Sequence, residues 1–467
     1  MLVGREEERK ILESLLHASE AQLAVVYGRR RVGKSFLIRE SYKNHVVHFF
    51  EGLENQSTKK QIQNFLFQMR QQGLGNHSAH TWAEALSHLV PKRKSEKIVI
   101  VLDEFQWMAN NRTELVSVFK MMWDQYFSKS KNIVIILCGS IASFMVKKVL
   151  KSKALYGRVH HSIHLKQFLL ADSQRMLPQL NIQEVIKHHM LMGGIPMYLN
   201  LMKGSNSLSL GLEQLAFQKD GFFYQEFDRI FTSHFGSHTR YQSIVQCLHE
   251  HPMGLSRADI SKFSGQESGG VLTEALYNLE IAGFIRSLDF SIGEKKKHQT
   301  LYLMSDYFLK FYLEFISPNK KKIENHQKNI FLKIAQTPAY FSYLGTCFEK
   351  ICLEHSAILA ELLGFSDVDY NVTPYYQSQK IPVQIDLLFD RADNVITLCE
   401  IKWREQTMGI NLIKEVEKKV ESLSKLYPRK TIQKVLITKS EPSKDLLGTG
   451  YFYKIIKAET LISSQKK

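Results

Sequence analysis

The sequence predicts an α/β chain of several domains: a parallel-sheet domain first, a helical middle with a winged-helix segment, and a second α/β domain near the C-terminal end. Three observations predict it. The apolar stretch Val25-Val26-Tyr27 runs into Gly28-Arg29-Arg30-Arg31-Val32-Gly33-Lys34-Ser35, a strand followed by G-x-x-x-x-G-K-S. The apolar runs Ile98–Leu102 and Ile133–Leu137 each end in polar residues, as buried strands of a parallel sheet do. Far along the chain, Gln384–Asp390 and Val395–Trp403 read as adjacent strands joined by the polar turn Arg391-Ala392-Asp393-Asn394.

At 467 residues the chain exceeds one ordinary core. The punctuation along it suggests domains at 1–170, 171–239, 240–317 and 330–467, with Pro318-Asn319-Lys320-Lys321-Lys322 as the last boundary. Apolar residues make up 44% and charged residues 23%, which is a globular composition and excludes a disordered or fibrous one. No apolar run reaches the length of a membrane span, and Val3-Gly4-Arg5-Glu6-Glu7 is not signal-like, so the expected location is the cytoplasm without a membrane partner. Five scattered cysteines (Cys138, Cys247, Cys347, Cys352, Cys399) form no C-x-x-C pair, which argues against a disulfide framework or a zinc site. The formal charge of +16 suits a polyanionic partner and equally an ordinary basic surface, so the motifs decide.

The first domain begins with Glu6–Leu16, whose Ile11, Leu12, Leu15 and Leu16 share a helical face, and Gly4-Arg5 ahead of it is a plausible adenine-side element. The glycine-rich turn of Gly28, Arg29, Arg30, Arg31, Val32 and Gly33 exposes consecutive backbone N–H groups to phosphate, and the following helix adds its positive end. Lys34 can reach a terminal phosphate and Ser35 can ligate Mg²⁺, which makes the stretch a P-loop. Phe36-Leu37-Ile38-Arg39-Glu40 continues as the helix that this reading requires. Ile98–Leu102 delivers Asp103 and Glu104, the first a candidate on the metal side and the second a candidate base for the attacking water. Ser140 follows the third apolar run, where it could sense the γ-phosphate or simply cap a helix. Arg158, in Leu155-Tyr156-Gly157-Arg158, is a candidate arginine finger weighed against a plain surface arginine. In Met192-Gly193-Gly194-Ile195-Pro196-Met197-Tyr198 two glycines and a proline fix a sharp bend that could pack against adenine.

Together these six elements, in this order, resemble the archaeal-type ATPases of the AAA+/STAND division of P-loop proteins, over roughly the first half of the chain. The resemblance implies an ATP-binding core with Mg²⁺, followed by helices and a winged helix. It also assigns Pro196 to the G-x-P element that touches the base. Many such proteins are slow switches rather than fast motors, and the residues do not choose between the two.

In the middle, Ser256-x-x-Asp259 opens a helix, and Leu272, Leu276 and Leu279 give a second helix one apolar face. Phe284–Asp289, the basic turn Ile292-Gly293-Glu294-Lys295-Lys296-Lys297-His298 and Thr300–Met304 then read as a hairpin, so the whole resembles a winged helix. Glu274 and Glu280 on the second helix disfavour base readout, whereas Lys295–Lys297 could grip phosphates.

In the C-terminal third, Asp386 sits at the start of one expected strand and Glu400 near the end of the next, with Glu400 and Lys402 on one side because strand side chains alternate. Two carboxylates can hold a hard divalent cation against a phosphodiester while a lysine stabilises developing negative charge. This pattern resembles the PD-(D/E)xK nuclease superfamily, of the DUF234 type, over roughly the last 130 residues. The resemblance implies a restriction-endonuclease-like α/β fold, gives Asp386, Glu400 and Lys402 the cleavage, and adds Glu349 of Phe348-Glu349-Lys350 as a metal ligand. It departs in having Pro382 four residues before Asp386 rather than adjacent. Leu412–Leu426 is expected as an amphipathic helix and Lys434–Thr438 as a further strand.

The expected function is thus an ATPase, with ATP and Mg²⁺ as cofactors, coupled to a metal-dependent nuclease acting on DNA. An alternative is an ATP-switched, non-cleaving regulator that binds DNA or protein, and a third is an ATPase partner of a transporter or toxin system. A ring or dimer is compatible with Arg158 acting in trans.

Overall fold

The computed structural model describes residues 2–91, 97–205, 207–235, 239–292, 297–377 and 383–463. Lys295 and Lys296 of the expected wing, and Pro382, lie outside the described residues. The chain divides into two compact units, Met1–Gln167 with Leu276–Gly283, and Phe168–Ala275 with Phe284–Lys467.

The first unit is built on five parallel strands: β1 (Gln22–Tyr27), β2 (Val46–Glu51), β3 (Ile98–Asp103), β4 (Ile133–Gly139) and β5 (His161–His164), in the order β2-β3-β4-β1-β5. The three apolar runs of the sequence are the three inner strands. Their alternate residues feed two separate cores. Leu23 and Val25 pack with Ile100, Leu102, Ile135, Phe65 and Phe119 on one side, while Ala24 and Val26 pack with Val99, Val101, Val134, Ile136, Leu37 and Ile38 on the other. A sheet buried on both faces has no use for alternation of polarity, which is why these strands are apolar throughout. At the carboxyl ends of β1, β3 and β4 the chain leaves the sheet in polar turns, where open parallel sheets bind their ligands.

In the second unit, helices follow one another from Leu170 to Phe235. Further along the chain come the helices Thr239–Glu250, Arg257–Ser264 and Gly270–Ile281 and the antiparallel hairpin of β6 (Ile285–Ile292) and β7 (Lys297–Met304). Ser256 caps the helix Arg257–Ser264 by accepting the Asp259 N–H, as its position in the sequence implies.

A mixed sheet closes the chain, from β8 (Tyr370–Gln377), β9 (Val383–Arg391), β10 (Val395–Lys402), β11 (Thr431–Thr438) and β12 (Lys454–Lys457), in the order β12-β11-β10-β9-β8. β8, β9 and β10 are antiparallel neighbours, whereas β10, β11 and β12 run parallel. Leu412, Val416 and Leu423 of the helix Asn411–Leu426 pack with Ile396 and Leu398 of β10 and Leu436 of β11. The helix Pro338–Glu354 packs against β8, β9 and β10. Overall the chain is α/β, with a parallel P-loop sheet, a helical middle and a separate C-terminal mixed-sheet domain.

All five cysteines are free and buried. Among the described residues, no helix is long and apolar enough to cross a membrane.

Candidate functional sites: a P-loop and a buried carboxylate–lysine cluster

The P-loop is shaped by two glycines that no other residue replaces without strain. At φ 150° Gly28 brings its backbone so close to β5 that a Cβ would lie 2.2 Å from the Leu165 carbonyl oxygen. Gly33, at φ 90°, makes the left-handed turn into the helix Lys34–Ser41. Lys34 is buried at 6% exposure, and its Nζ donates to the carbonyls of Gly28 at 3.0 Å and Arg29 at 3.1 Å, so the ammonium lies over the loop. Val32 is buried and Arg30 exposed.

Ser35 Oγ donates to Asp103 Oδ2 at 2.5 Å, tying the P-loop helix to the end of β3. Asp103 Oδ1 accepts the Glu104 N–H at 2.9 Å, and Glu104 itself stands in the left-handed region at φ 49°. A non-glycine residue held there costs about 1 kcal/mol or more, which the surrounding contacts must offset. That turn aims the Glu104 carboxylate at β4, where Ser140 Oγ donates to Glu104 Oε2 at 2.7 Å. Gln106 donates to the same oxygen and lies 3.2 Å from Ser140 Oγ. Ser140 therefore serves Glu104; it makes no cap for the short helix Ala142–Phe144.

Gln106, fully buried, is a site residue that sequence reading missed. Its signal was a polar side chain two positions beyond Glu104 and flanked by Phe105 and Trp107.

Arg158 does not stand free as an arginine finger. Its guanidinium forks onto Asp124, Nε to Oδ1 at 2.6 Å and Nη2 to Oδ2 at 2.9 Å, and Nη1 donates to the Ala154 carbonyl at 3.1 Å. That pairing holds the Asp124 carboxyl down to about 2. A bidentate arginine–carboxylate pair fixes the planar fork, which is the opposite of a side chain reaching outward.

Pro196 opens the helix Pro196–Met202, within the second unit. The glycines before it have a structural reason. Gly193 is at φ 70°, and a Cβ on Gly194 would lie 2.0 Å from the Phe168 carbonyl, whose residue donates its N–H to Gly194 O at 2.8 Å.

In the C-terminal sheet the register pairs Cys399 with Leu387, so Glu400 and Asp386 are the next residues along each strand. Both carboxylates are buried, at 0% and 7% exposure. Asp386 Oδ2 accepts the Ile401 N–H at 2.9 Å. Lys402 Nζ stands 2.6 Å from Glu400 Oε1. From the facing helix Asn411–Leu426, Lys419 Nζ donates to Glu400 Oε2 at 2.6 Å and lies 3.7 Å from Asp386 Oδ1.

The electrostatics follow from burial. Asp386 is pushed up by burial and then by Glu400. Burial works against the Lys402 ammonium, but the Glu400 and Asp386 carboxylates outweigh it and hold its pKa up. Glu349, on the helix Pro338–Glu354, is raised to about 8 by burial and by the charge of Asp386, so it belongs to the same electrostatic cluster. Among the described residues, no group of three or more His, Cys, Asp and Glu side chains is spaced to hold a metal ion. The structure thus brings Asp386, Glu400 and Lys402 together.

Sequence reading missed Lys419. Its signal was spacing: it lies three residues after Val416 and four before Leu423, on the apolar stripe of a helix otherwise rich in exposed lysines.

Residues 2–202 match the family model of an ATPase domain predominantly from Archaea, and residues 312–420 match a family described as archaeal and bacterial proteins of unknown function. An uncharacterized protein of Methanocaldococcus jannaschii is 27% identical over 412 residues, covering 87% of this chain and 88% of that protein. Among solved structures, the Walker-type ATPase of Pyrococcus abyssi is 17% identical with a TM-score of 0.47, covering 67% of this chain and 96% of that one. The ORC2 protein of Aeropyrum pernix, solved in ADPNP–ADP complexes, is 14% identical with a TM-score of 0.43, covering 72% and 96%. The two family matches thus divide the chain, residues 2–202 being similar to the predominantly archaeal ATPase domain and residues 312–420 to the archaeal and bacterial family of unknown function.

Proposed function

We propose that this chain is an ATP-hydrolysing enzyme whose C-terminal domain cleaves phosphodiester bonds in nucleic acid, with DNA as the partner and a divalent cation as cofactor. The observation that carries the reading is the convergence of Asp386, Glu400 and Lys402 on neighbouring strands, with Glu349 raised by burial and then by the Asp386 charge.

In the first unit the backbone N–H groups of Gly28–Ser35 receive the phosphates and Lys34 turns from the loop carbonyls to the terminal phosphate. Hard oxygen donors suit Mg²⁺, and Ser35 and Asp103, already hydrogen-bonded, offer them from two elements. Glu104 orients and deprotonates the attacking water, while Ser140 and Gln106 fix which way its carboxylate points.

In the C-terminal site the buried Asp386 and Glu400 and the half-buried Glu349 gather with Lys402 and Lys419, and the two lysines stand 2.6 Å from Oε1 and Oε2 of Glu400. Among the described residues the protein offers a divalent cation the Asp386 and Glu400 carboxylates but no third ligand at metal spacing, so in this reading the cation would take two ligands from these side chains and the rest from water and the phosphodiester. Such an ion supplies Lewis-acid polarisation of the phosphodiester and a nucleophilic hydroxide. Lys402 contributes positive charge where the transition state develops negative charge.

The working domains are 1–170, 171–239, 240–317 and 330–467, the third a winged helix that holds the nucleic acid through its backbone, in keeping with a net charge of +16. Cytoplasmic placement belongs to this reading.

A second reading, the ATP-switched regulator that binds DNA or protein without cutting it, is favoured by one observation: both oxygens of Glu400 are already held by lysines. Metal-dependent cleavage of plasmid and single-stranded DNA by the full chain, with and without ATP, separates the two.

A further inference from the structure

The same C-terminal site contains a device that its proposed chemistry does not use. Lys419 reaches in from the helix Asn411–Leu426 and places its ammonium between the two carboxylates a metal would need, 2.6 Å from Glu400 Oε2 and 3.7 Å from Asp386 Oδ1. Its side chain is only 15% exposed, and it sits on the stripe whose other members, Val416 and Leu423, are fully buried, so packing of the helix sets where it points. A lysine on an apolar stripe is costly to bury unless it is paired, and Glu400 is its hydrogen-bonded partner.

We infer that Lys419 is an internal counter-ion that competes with the divalent cation for Asp386 and Glu400, so that metal enters this site only by displacing the lysine from the carboxylates. The inference rests on the metal-site reading above and deepens it. Lys419 is a positioning residue here: in the metal-free protein it holds the two carboxylates together against their mutual repulsion. Its long four-carbon stem allows the ammonium to swing aside without moving the helix. Lys402 differs in being part of the same strand as Glu400, so its distance to the carboxylate is set by β10 itself. Lys418, one residue away, is exposed.

The test is Mn²⁺ binding to the full chain without nucleotide, followed by electron paramagnetic resonance of the free ion. Wild type is compared with Lys419→Gln, Lys419→Met and Lys418→Gln, and Asp386→Asn identifies the part of the binding that belongs to this site. Losing a charge-assisted hydrogen bond that competes with the ion should tighten Mn²⁺ by about tenfold or more in both Lys419 variants, with Lys418→Gln unchanged. A merely structural lysine gives the opposite result, lower thermal stability with equal or weaker Mn²⁺ binding, and that outcome overturns the inference. Should Lys419→Gln fail to fold, Lys419→Met preserves the packed stem and gives the same readout. If neither wild type nor the Lys419 variants bind Mn²⁺ in an Asp386-dependent way, the metal-site reading itself falls, which is distinguishable from wild type binding as tightly as Lys419→Gln.

Discussion

Ser35 Oγ and Asp103 Oδ2 stand 2.5 Å apart, so the second residue of the P-loop helix and the residue that ends β3 are joined by a hydrogen bond. β4 lies between their strands in the sheet, and the hydrogen bond spans that gap. From this pairing comes a division of labour. Lys34→Ala removes the loop's ammonium and should weaken ATP binding by roughly ten- to hundredfold, as loss of a charged hydrogen bond does. Asp103→Ala should weaken ATP mainly when Mg²⁺ is present. Calorimetric titration of ATP with and without Mg²⁺ checks both, and equal ATP affinity in Lys34→Ala and wild type would remove the P-loop from the account.

Glu104 is held by Ser140 and Gln106, which allows orientation to be separated from chemistry. Glu104→Gln should lower the hydrolysis rate by roughly 10²–10⁴-fold while leaving ATP affinity unchanged. Ser140→Ala removes one hydrogen bond and should cost only about 1 kcal/mol of transition-state stabilisation, a severalfold loss in rate. Steady-state hydrolysis measures the order; a Ser140 effect larger than the Glu104 effect would reverse the roles.

The Arg158–Asp124 fork is an intrachain support. Both side chains keep about a third of their exposure, so solvent screens the pair and Arg158→Ala should cost about 1 kcal/mol or less of stability. Hydrolysis per folded molecule should be unchanged. A hundredfold loss of hydrolysis at preserved stability would show instead that Arg158 leaves Asp124 and works as a finger.

His188 is fully buried on the helix Ile182–Met192, neither ring nitrogen has a hydrogen-bond partner among the described residues, and burial lowers its pKa to about 4. The ordinary value is 6.5, so between pH 6.5 and 4 the unfolded chain takes up a proton that the folded chain refuses. Stability from this group is therefore present above pH 6.5 and lost as pH falls toward 4, by up to about 1.4 kcal/mol per pH unit. In urea melts across that window, His188→Gln should show a shallower decline than wild type. Parallel curves would mean that the ring is protonated in the folded protein.

How much of this was legible in the sequence depended on how local each constraint was. The Gly28–Ser35 turn is legible because each position demands a residue type within one stretch, and the structure adds only why Gly28 is irreplaceable, the nearby Leu165 carbonyl. Asp103 and Glu104 are legible because an unbroken apolar strand delivers them. Glu400 and Lys402 share a face by alternation alone. The partner of Arg158 is 34 residues away on the helix Glu114–Gln125, a long-range pairing that no spacing encodes, and so the loop carrying Arg158 suggested a finger. Lys419 was hidden among the lysines of its helix, distinguishable only once Val416 and Leu423 were known to face the sheet.

The most direct measurement is cleavage of plasmid and single-stranded DNA by the purified full chain with Mg²⁺ or Mn²⁺, in the presence and absence of ATP, beside Asp386→Ala and Lys34→Ala. The expected result is metal-dependent cleavage by wild type that Asp386→Ala abolishes and Lys34→Ala uncouples from ATP. No cleavage by wild type under any of these conditions, with ATP hydrolysis intact, would contradict the nuclease and leave the C-terminal cluster as part of a non-cleaving, ATP-switched regulator.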